Sequence, residues 1–188
     1  MATIVFEAQQ FTGLETNTVP SLAVFQGVLH LAFQDVNTQT IAHYTYNGAP
    51  WTEQQLIPGG TGSGLSLAVF QNKLHAAWKA IDNYPTIFYS SYDATSWADQ
   101  QTIPGVSSGV PSIAEYGNKL YAAWKGELDD QRIFYSSFDG TSWTDQQTIL
   151  GNTSAGVFLT TYQNKLYGAW KGEVNDQRIF YSSFDGTS

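Results

Sequence analysis

Apolar and polar positions alternate along this chain in short runs. Four of them lie between Val110 and Ile149: Val110–Tyr116, Lys119–Lys125, Arg132–Phe138 and Trp143–Ile149. They are rich in Ile, Val, Phe, Tyr and Trp, which suit a pleated surface, so each reads as a β-strand. Gly117-Asn118 is a tight-turn signal between the first two, and Asp139-Gly140-Thr141-Ser142 is turn chemistry between the last two. No window of about eleven residues combines i, i+3, i+4 apolar spacing with freedom from Gly, Pro and turn clusters, so no helix is predicted. Leu120, Ala122 and Trp124 point to one side of their strand, Tyr121 and Ala123 to the other. A sheet that is apolar on both faces needs a neighbour on each.

The same pattern recurs along the whole chain. All six Trp fall in two columns, Phe6, Trp51, Trp97, Trp143 and Phe33, Trp78, Trp124, Trp170, with spacings of 45, 46 and 46 residues in both. The six Lys follow: Lys73, Lys119 and Lys165 precede a Leu, while Lys79, Lys125 and Lys171 follow the second-column Trp. Both Arg, Arg132 and Arg178, share a third position. Four antiparallel strands in such a unit is the content of one β-propeller blade, with a period near those of known propeller repeats. Residues 1–188 are therefore expected to form one all-β domain, a four-bladed β-propeller built from repeats 6–50, 51–96, 97–142 and 143–188. The fourth unit stops at Phe184-Asp185-Gly186-Thr187-Ser188, where its Trp strand is due, and Phe6-Glu7-Ala8-Gln9-Gln10 matches Trp143-Thr144-Asp145-Gln146-Gln147. The N-terminal strand is expected to complete the last blade and close the ring. The alternative is half of an eight-bladed ring, with that strand completing a blade of a partner chain, which makes a homo-oligomer an open expectation.

Composition narrows the function. Charged residues make up 13% and aromatics 15% of 188 residues, and the net charge is −8. An acidic chain lacks the basic stripe that phosphate backbones or anionic lipid surfaces require, so nucleic acid is not an expected partner, nor is a membrane. No apolar run is long enough to cross a bilayer. Cysteine is absent, which removes disulfides, thiolate metal sites and cysteine nucleophiles. The first residues, Met1-Ala2-Thr3-Ile4-Val5-Phe6, show no basic n-region or apolar h-region. Cytoplasmic residence, or release without a classical signal peptide, is the expectation.

Ser137-Phe138-Asp139-Gly140-Thr141-Ser142-Trp143 resembles the Asp-box of sialidase-type propellers, shortened by a residue, and recurs around Asp93 and Asp185. The resemblance implies a folding element, in which the Asp caps backbone N–H groups of a turn. It does not extend to the sialidase reaction, which calls for three arginines on one substrate carboxylate where this chain has two in separate repeats. The histidines read as packing residues: His30 and His75 share a column with Tyr121 and Tyr167, and His43 is aligned with Ser90 and Ser136. No metal, cofactor or catalytic residue is predicted, and the protein is not expected to be an enzyme. Gly59-Gly60-Thr61-Gly62-Ser63-Gly64 lacks the Lys and helix of a phosphate loop and reads as a connection between blades.

The loop between the second and third strands carries the candidate chemistry. Trp78-Lys79, Trp124-Lys125 with Asp130-Gln131-Arg132, and Trp170-Lys171 with Asp176-Gln177-Arg178 place an aromatic beside a cation, a carboxylate and an amide. That combination suits a sugar, whose C–H face stacks on a ring and whose hydroxyls exchange hydrogen bonds with polar groups. Blade-to-blade packing of each Trp remains the alternative. The first unit, with Phe33-Gln34, is expected to be degenerate. Pro111-Ser112-Ile113-Ala114, Asn118-Lys119-Leu120-Tyr121-Ala122-Ala123-Trp124-Lys125-Gly126 and Ile133-Phe134-Tyr135-Ser136-Ser137-Phe138 resemble, in general style, β-propeller lectins of the bacterial and fungal defence type. The resemblance implies non-catalytic, multivalent binding of glycans or glycoconjugates. A protein-interaction platform on the same face is the alternative.

Overall fold

The computed structural model describes residues 10–48, 50–81 and 83–187. They form sixteen strands in four antiparallel sheets, with no helix. Blade 1 contains β1 (Ser21–Phe25), β2 (Val28–Gln34), β3 (Thr40–Tyr46), β4 (Thr52–Glu53) and β5 (Ile57–Gly60). Blade 2 contains β6 (Leu65–Phe70), β7 (Lys73–Lys79), β8 (Thr86–Tyr92) and β9 (Gln101–Val106). Blade 3 contains β10 (Ser112–Tyr116), β11 (Lys119–Lys125), β12 (Arg132–Phe138) and β13 (Gln147–Asn152). Blade 4 has β14 (Val157–Tyr162), β15 (Lys165–Lys171) and β16 (Ile179–Phe184). Residues 6–9, assigned from sequence to its fourth strand, lie outside the described residues.

The first two strands of each blade are joined by a two-residue turn with both φ angles positive, as at Gln71-Asn72 (46° and 55°) and Gly117-Asn118 (57° and 58°). That is the hairpin geometry whose twist matches the strands. The fourth strand begins later than the apolar run suggests. Trp97 and Trp143 each form an isolated bridge, to Tyr92 and Phe138, and the ladder resumes at Gln101 and Gln147. Ser90 and Ser136 hydroxyls fill the break by donating to the Ala98 and Thr144 carbonyls, both at 2.6 Å. Asp93, Asp139 and Asp185 each accept a backbone N–H two residues ahead, which holds the turn before the fourth strand.

Adjacent blades are joined by repeated contacts between inner strands. The N–H groups of Leu67, Ile113 and Leu159 donate to the hydroxyls of Ser21, Ser66 and Ser112 in the preceding blade, at 3.0, 3.2 and 2.9 Å. The second-column Trp rings reach back over a glycine in the same preceding blade. A Cβ on Gly105 would stand 2.5 Å from Trp124 Cζ2, and on Gly151 2.9 Å from Trp170 Cζ2. Both glycines have φ near +130° and lie in a strand irregularity, so neither the space nor the backbone admits another residue.

Blade 1 solves the same contact differently. The connection turn aligns Thr16 with Thr61, Ser107 and Thr153, each accepting an N–H two residues ahead, and so places Leu14 where Gly59, Gly105 and Gly151 stand. Leu14, Tyr44 and Trp51 pack on the cluster of Leu31, Phe33 and Ala42. A Leu–Phe pair thereby replaces Gly–Trp. The pairing also corrects the place of His43: it opposes Ala32 as Tyr89 opposes Ala77 and Tyr135 opposes Ala123, so its column is Tyr, not Ser.

β1 packs on β6, β6 on β10 and β10 on β14, but β1 and β14 share no comparable contact. The described residues trace an arc of four blades, and the predicted closure of a ring is not seen among them. One column makes the consequence plain: Ile41, Ile87 and Ile133 are wholly buried, while Ile179 of blade 4 is 81% exposed.

Candidate functional site

The loops after β7, β11 and β15 lie beside the connections that enter the next blade. In blade 3, the Gly126 N–H donates to the Arg132 carbonyl at 3.0 Å and the Asp130 N–H to the Glu127 carbonyl at 2.9 Å, closing the loop on itself. Gly126 is required because a Cβ would stand 2.7 Å from the Asp130 carboxyl carbon, and Gly172 repeats this against Asp176. The Lys125 ammonium donates to Ser108 Oγ at 3.1 Å and to the Gly126 and Leu128 carbonyls at 3.2 and 2.6 Å. Lys171 repeats the pattern with Ser154 Oγ at 2.8 Å and the Gly172 and Glu173 carbonyls. Lys79 donates to the Ala80 carbonyl. These lysines act first as struts that hold loop carbonyls.

Arg132 and Asp130 form a two-pronged ion pair, with Nε to Oδ1 at 3.0 Å and Nη2 to Oδ2 at 2.7 Å, and the guanidinium lies 5.0 Å from the Phe134 ring centroid. Arg178, Asp176 and Phe180 repeat the arrangement at 3.0, 2.8 and 5.2 Å. The hydrogen bonds from the arginine side chains hold both carboxyls below the usual range, Asp176 at about 2, and raise both guanidinium groups. The pairs are solvent-facing, with Arg132 and Arg178 side chains 63% and 77% exposed.

Between blades 3 and 4 these elements enclose a cleft of about 470 Å³. Lys125, Leu128, Asp129 and Gln131 line one wall, Ser108 and Gly109 its inner end, and Ser154, Ala155, Gly156 and Val174 the other wall. Gln131 Oε1 accepts the Val174 N–H at 2.7 Å, so an amide of one blade fixes the loop of the next. Leu128 is an exposed apolar residue at the rim with φ of +47°, a conformation costly for a branched side chain. A second cleft of about 390 Å³, between the end of β13 in blade 3 and the strands of blade 4, is lined by Asp176, Glu173, Asn152, Phe180, Tyr181 and Trp170.

The structure thus gathers Lys125 and Gln131 at one cleft and Asp176 at another. Arg132, Asp130 and Arg178 stand on the loop flanks, and Gln177 is exposed on the blade 4 loop. The aromatic column is placed otherwise than a stacking platform needs. Trp78 and Trp124 are wholly buried between blades and Trp170 is 6% exposed, so the first two have no ring face open to a ligand. Ser108 and Ser154 were not among the residues singled out. Their signal was the Ser/Thr-rich connection repeated at Val106-Ser107-Ser108-Gly109 and Asn152-Thr153-Ser154-Ala155. Among the described residues no group of three or more His, Asp or Glu is placed to hold a metal ion.

The geometry defines a class, an all-β arc of propeller blades with polar clefts between blades. No protein-family model and no curated protein sequence matches the chain. Solved structures do share the fold. AofleA from Arthrobotrys oligospora is 13% identical over 88% of this chain and 52% of its own, with a TM-score of 0.66. The fungal Aleuria aurantia lectin, a six-bladed β-propeller described with a fucose recognition mode, is 15% identical over 86% of this chain and 54% of its own, at 0.63. A GH43_1 enzyme from Xanthomonas citri complexed with xylose is 13% identical over 89% and 70%, also at 0.63. The chain spans about half the length of the two fungal proteins. At these identities the likeness shows the β-propeller fold alone.

Proposed function

We propose that the protein is a non-catalytic, multivalent carbohydrate-binding protein that takes one sugar unit in each cleft between blades. The observation that carries this reading is the 470 Å³ cleft between blades 3 and 4. Its volume falls in the range of small-molecule sites, and its lining mixes hydroxyl, amide, carboxylate and ammonium groups with apolar side chains. Leu128 and Val174 take the role first assigned to the Trp column, offering apolar contact to a sugar C–H face. Gln131, Asp129 and Ser154 supply the hydrogen bonds, while Lys125 holds the loop carbonyls that shape the wall. Fungal lectins with the same fold, some in complex with fucosides, support the ligand class.

Glycosidases also share the fold. The binding reading is favoured over hydrolysis because Asp129 is the one carboxylate among the described residues lining the 470 Å³ cleft, whereas glycoside hydrolysis calls for a pair flanking the bond. Each site is expected to be weak alone, and repetition along the arc strengthens attachment to a glycosylated surface. A glycan array followed by titration of the best monosaccharide tests the reading. Saturable binding that weakens at least tenfold in Gln131→Ala supports it. Silence across a broad array, or release of sugar from a glycoside substrate, refutes it.

A further inference from the structure

The loops that wall the cleft between blades 3 and 4 carry Lys125, Lys171, Arg132 and Arg178, the side chains that usually receive an acidic ligand. Their hydrogen bonds commit them elsewhere. An ammonium group has three N–H donors. Those of Lys125 go to Ser108 Oγ and to the Gly126 and Leu128 carbonyls, at 3.1, 3.2 and 2.6 Å. Those of Lys171 go to Ser154 Oγ and to the Gly172 and Glu173 carbonyls, at 2.8, 3.4 and 3.4 Å. Each arginine presents Nε and Nη2 to an aspartate of its own loop, and neither lines the cleft.

The groups left open are mostly acceptors. Ser108 and Ser154 hydroxyls donate their protons to the Gly126 and Gly172 carbonyls, at 2.8 and 2.9 Å. Each also accepts from a lysine, so toward a ligand it has only a lone pair to offer. Asp129 lines the cleft with a carboxylate that has no hydrogen-bond or ion-pair partner among the described residues. The carboxylates of Glu127 and Glu173, on the two loops, are likewise without a partner among the described residues. Gln131 supplies the donor. Its Oε1 accepts the Val174 N–H at 2.7 Å, which leaves two N–H groups on Nε2.

A carboxylate or sulfate on a ligand brings acceptors alone. In this cleft it would find one amide to receive it and would meet Asp129 with like charge. A sugar hydroxyl brings a donor and an acceptor together. Two hydroxyls on adjacent carbons can donate to the two oxygens of Asp129 while a third accepts from Gln131 Nε2. We propose, on the reading of this cleft as a sugar site, that it selects neutral sugars with adjacent free hydroxyls and rejects sugars that carry an anionic group. Asp129 and Gln131 are the discriminating residues. Repeat position confines the selectivity to this cleft. The Pro85 carbonyl accepts the Ser107 N–H at 2.8 Å as the Gln131 carbonyl accepts the Thr153 N–H at 2.7 Å, so Pro85 stands where Gln131 does and Asn83 where Asp129 does. The junction between blades 2 and 3 carries neither group at those positions.

Calorimetric titration with the methyl glycosides of glucose, galactose, mannose and fucose tests this, each against the uronide of the same ring configuration, which differs only in a carboxylate at C6. The neutral member of a binding pair is expected to bind at least about tenfold more tightly, because like charge and the lack of a donor act together. Asp129→Asn keeps the shape and removes the charge. It is expected to narrow that ratio to about twofold or less, with an unchanged thermal midpoint, since the carboxylate has no partner to lose. A uronide that binds as tightly as its neutral counterpart, or a ratio unchanged in Asp129→Asn, overturns the selectivity and leaves sugar binding standing. If none of the four neutral glycosides binds, the sugar reading falls and the selectivity falls with it. The wild-type comparison stands even if Asp129→Asn does not fold.

Discussion

The Gly–Trp contact between blades sets a quantitative test of how the arc is held together. Gly105 has φ of +129° and its missing Cβ would fall 2.5 Å from Trp124 Cζ2. Gly105→Ala should cost about 1–3 kcal/mol for the backbone conformation and about 1–3 kcal/mol for overpacking. A loss of about 4 kcal/mol lowers Tm by about 8–16 °C in a chain of this size. Trp124→Phe alone leaves a partial cavity and should cost about 1–2 kcal/mol, a fraction of full truncation. Blade 1 shows that a smaller ring tolerates a side chain at the glycine position, since Leu14 stands there beside Phe33. The double variant should therefore be more stable than the sum of the single losses by about 1–3 kcal/mol, the overpacking share. Chemical denaturation of the four proteins measures this, with Gly109→Ala, where nothing lies within 4 Å, as the harmless control. Additive losses, or a Gly105→Ala protein as stable as the control, would refute the reasoning.

Other expectations follow from individual contacts. Burial, with the nearby His30 adding repulsion in one case, lowers the pKa of His43 and that of His75 to about 4 from 6.5. The unfolded chain therefore binds more protons than the folded one between about pH 6.5 and 4. Stability is full above that window and falls through it by on the order of 3 kcal/mol per histidine; denaturation midpoints that stay flat between pH 7 and 4.5 would contradict this. The same loss involves a named bond, because Trp97 Nε1–H donates to His43 Nδ1 at 3.1 Å and protonation removes that acceptor. Ser112→Ala deletes the acceptor for the Leu159 N–H and should cost about 1–3 kcal/mol, read from the same denaturation curves. Leu128→Asn relieves an unfavourable left-handed backbone and should stabilise the fold by up to about 1 kcal/mol while weakening sugar binding in the titration. A variant that loses both stability and binding would show that Leu128 is packing.

The periodicity of Trp, Lys and Arg revealed the blades, because each repeat meets nearly the same neighbours and repeats the same solutions. Strand boundaries inside a blade were legible for β10, β11 and β12, to within two residues. The delayed start of β13 was not, since it depends on the Ser136 hydroxyl taking the Thr144 carbonyl out of the ladder. In sequence a repeated aromatic looks the same whether it faces solvent or the next blade, so the Trp column reads equally as ligand platform and as packing. What settles it is Gly105 and Gly151, 46 residues apart and each opposite a Trp, a pairing that spans two repeats and is invisible within one. The arc was equally hidden. Ile179 is the same residue type as Ile133, and only the absence of a packed neighbour among the described residues makes it exposed.

The proposed function requires a sugar in the cleft between blades 3 and 4. The most direct measurement is the crystal structure of the protein soaked in a mixture of monosaccharides that includes fucose. A sugar ring between Leu128 and Val174, hydrogen-bonded to Gln131 or Ser154, is the expected result. Saturating sugar with that cleft empty, or a sugar bound only on another face, would contradict it.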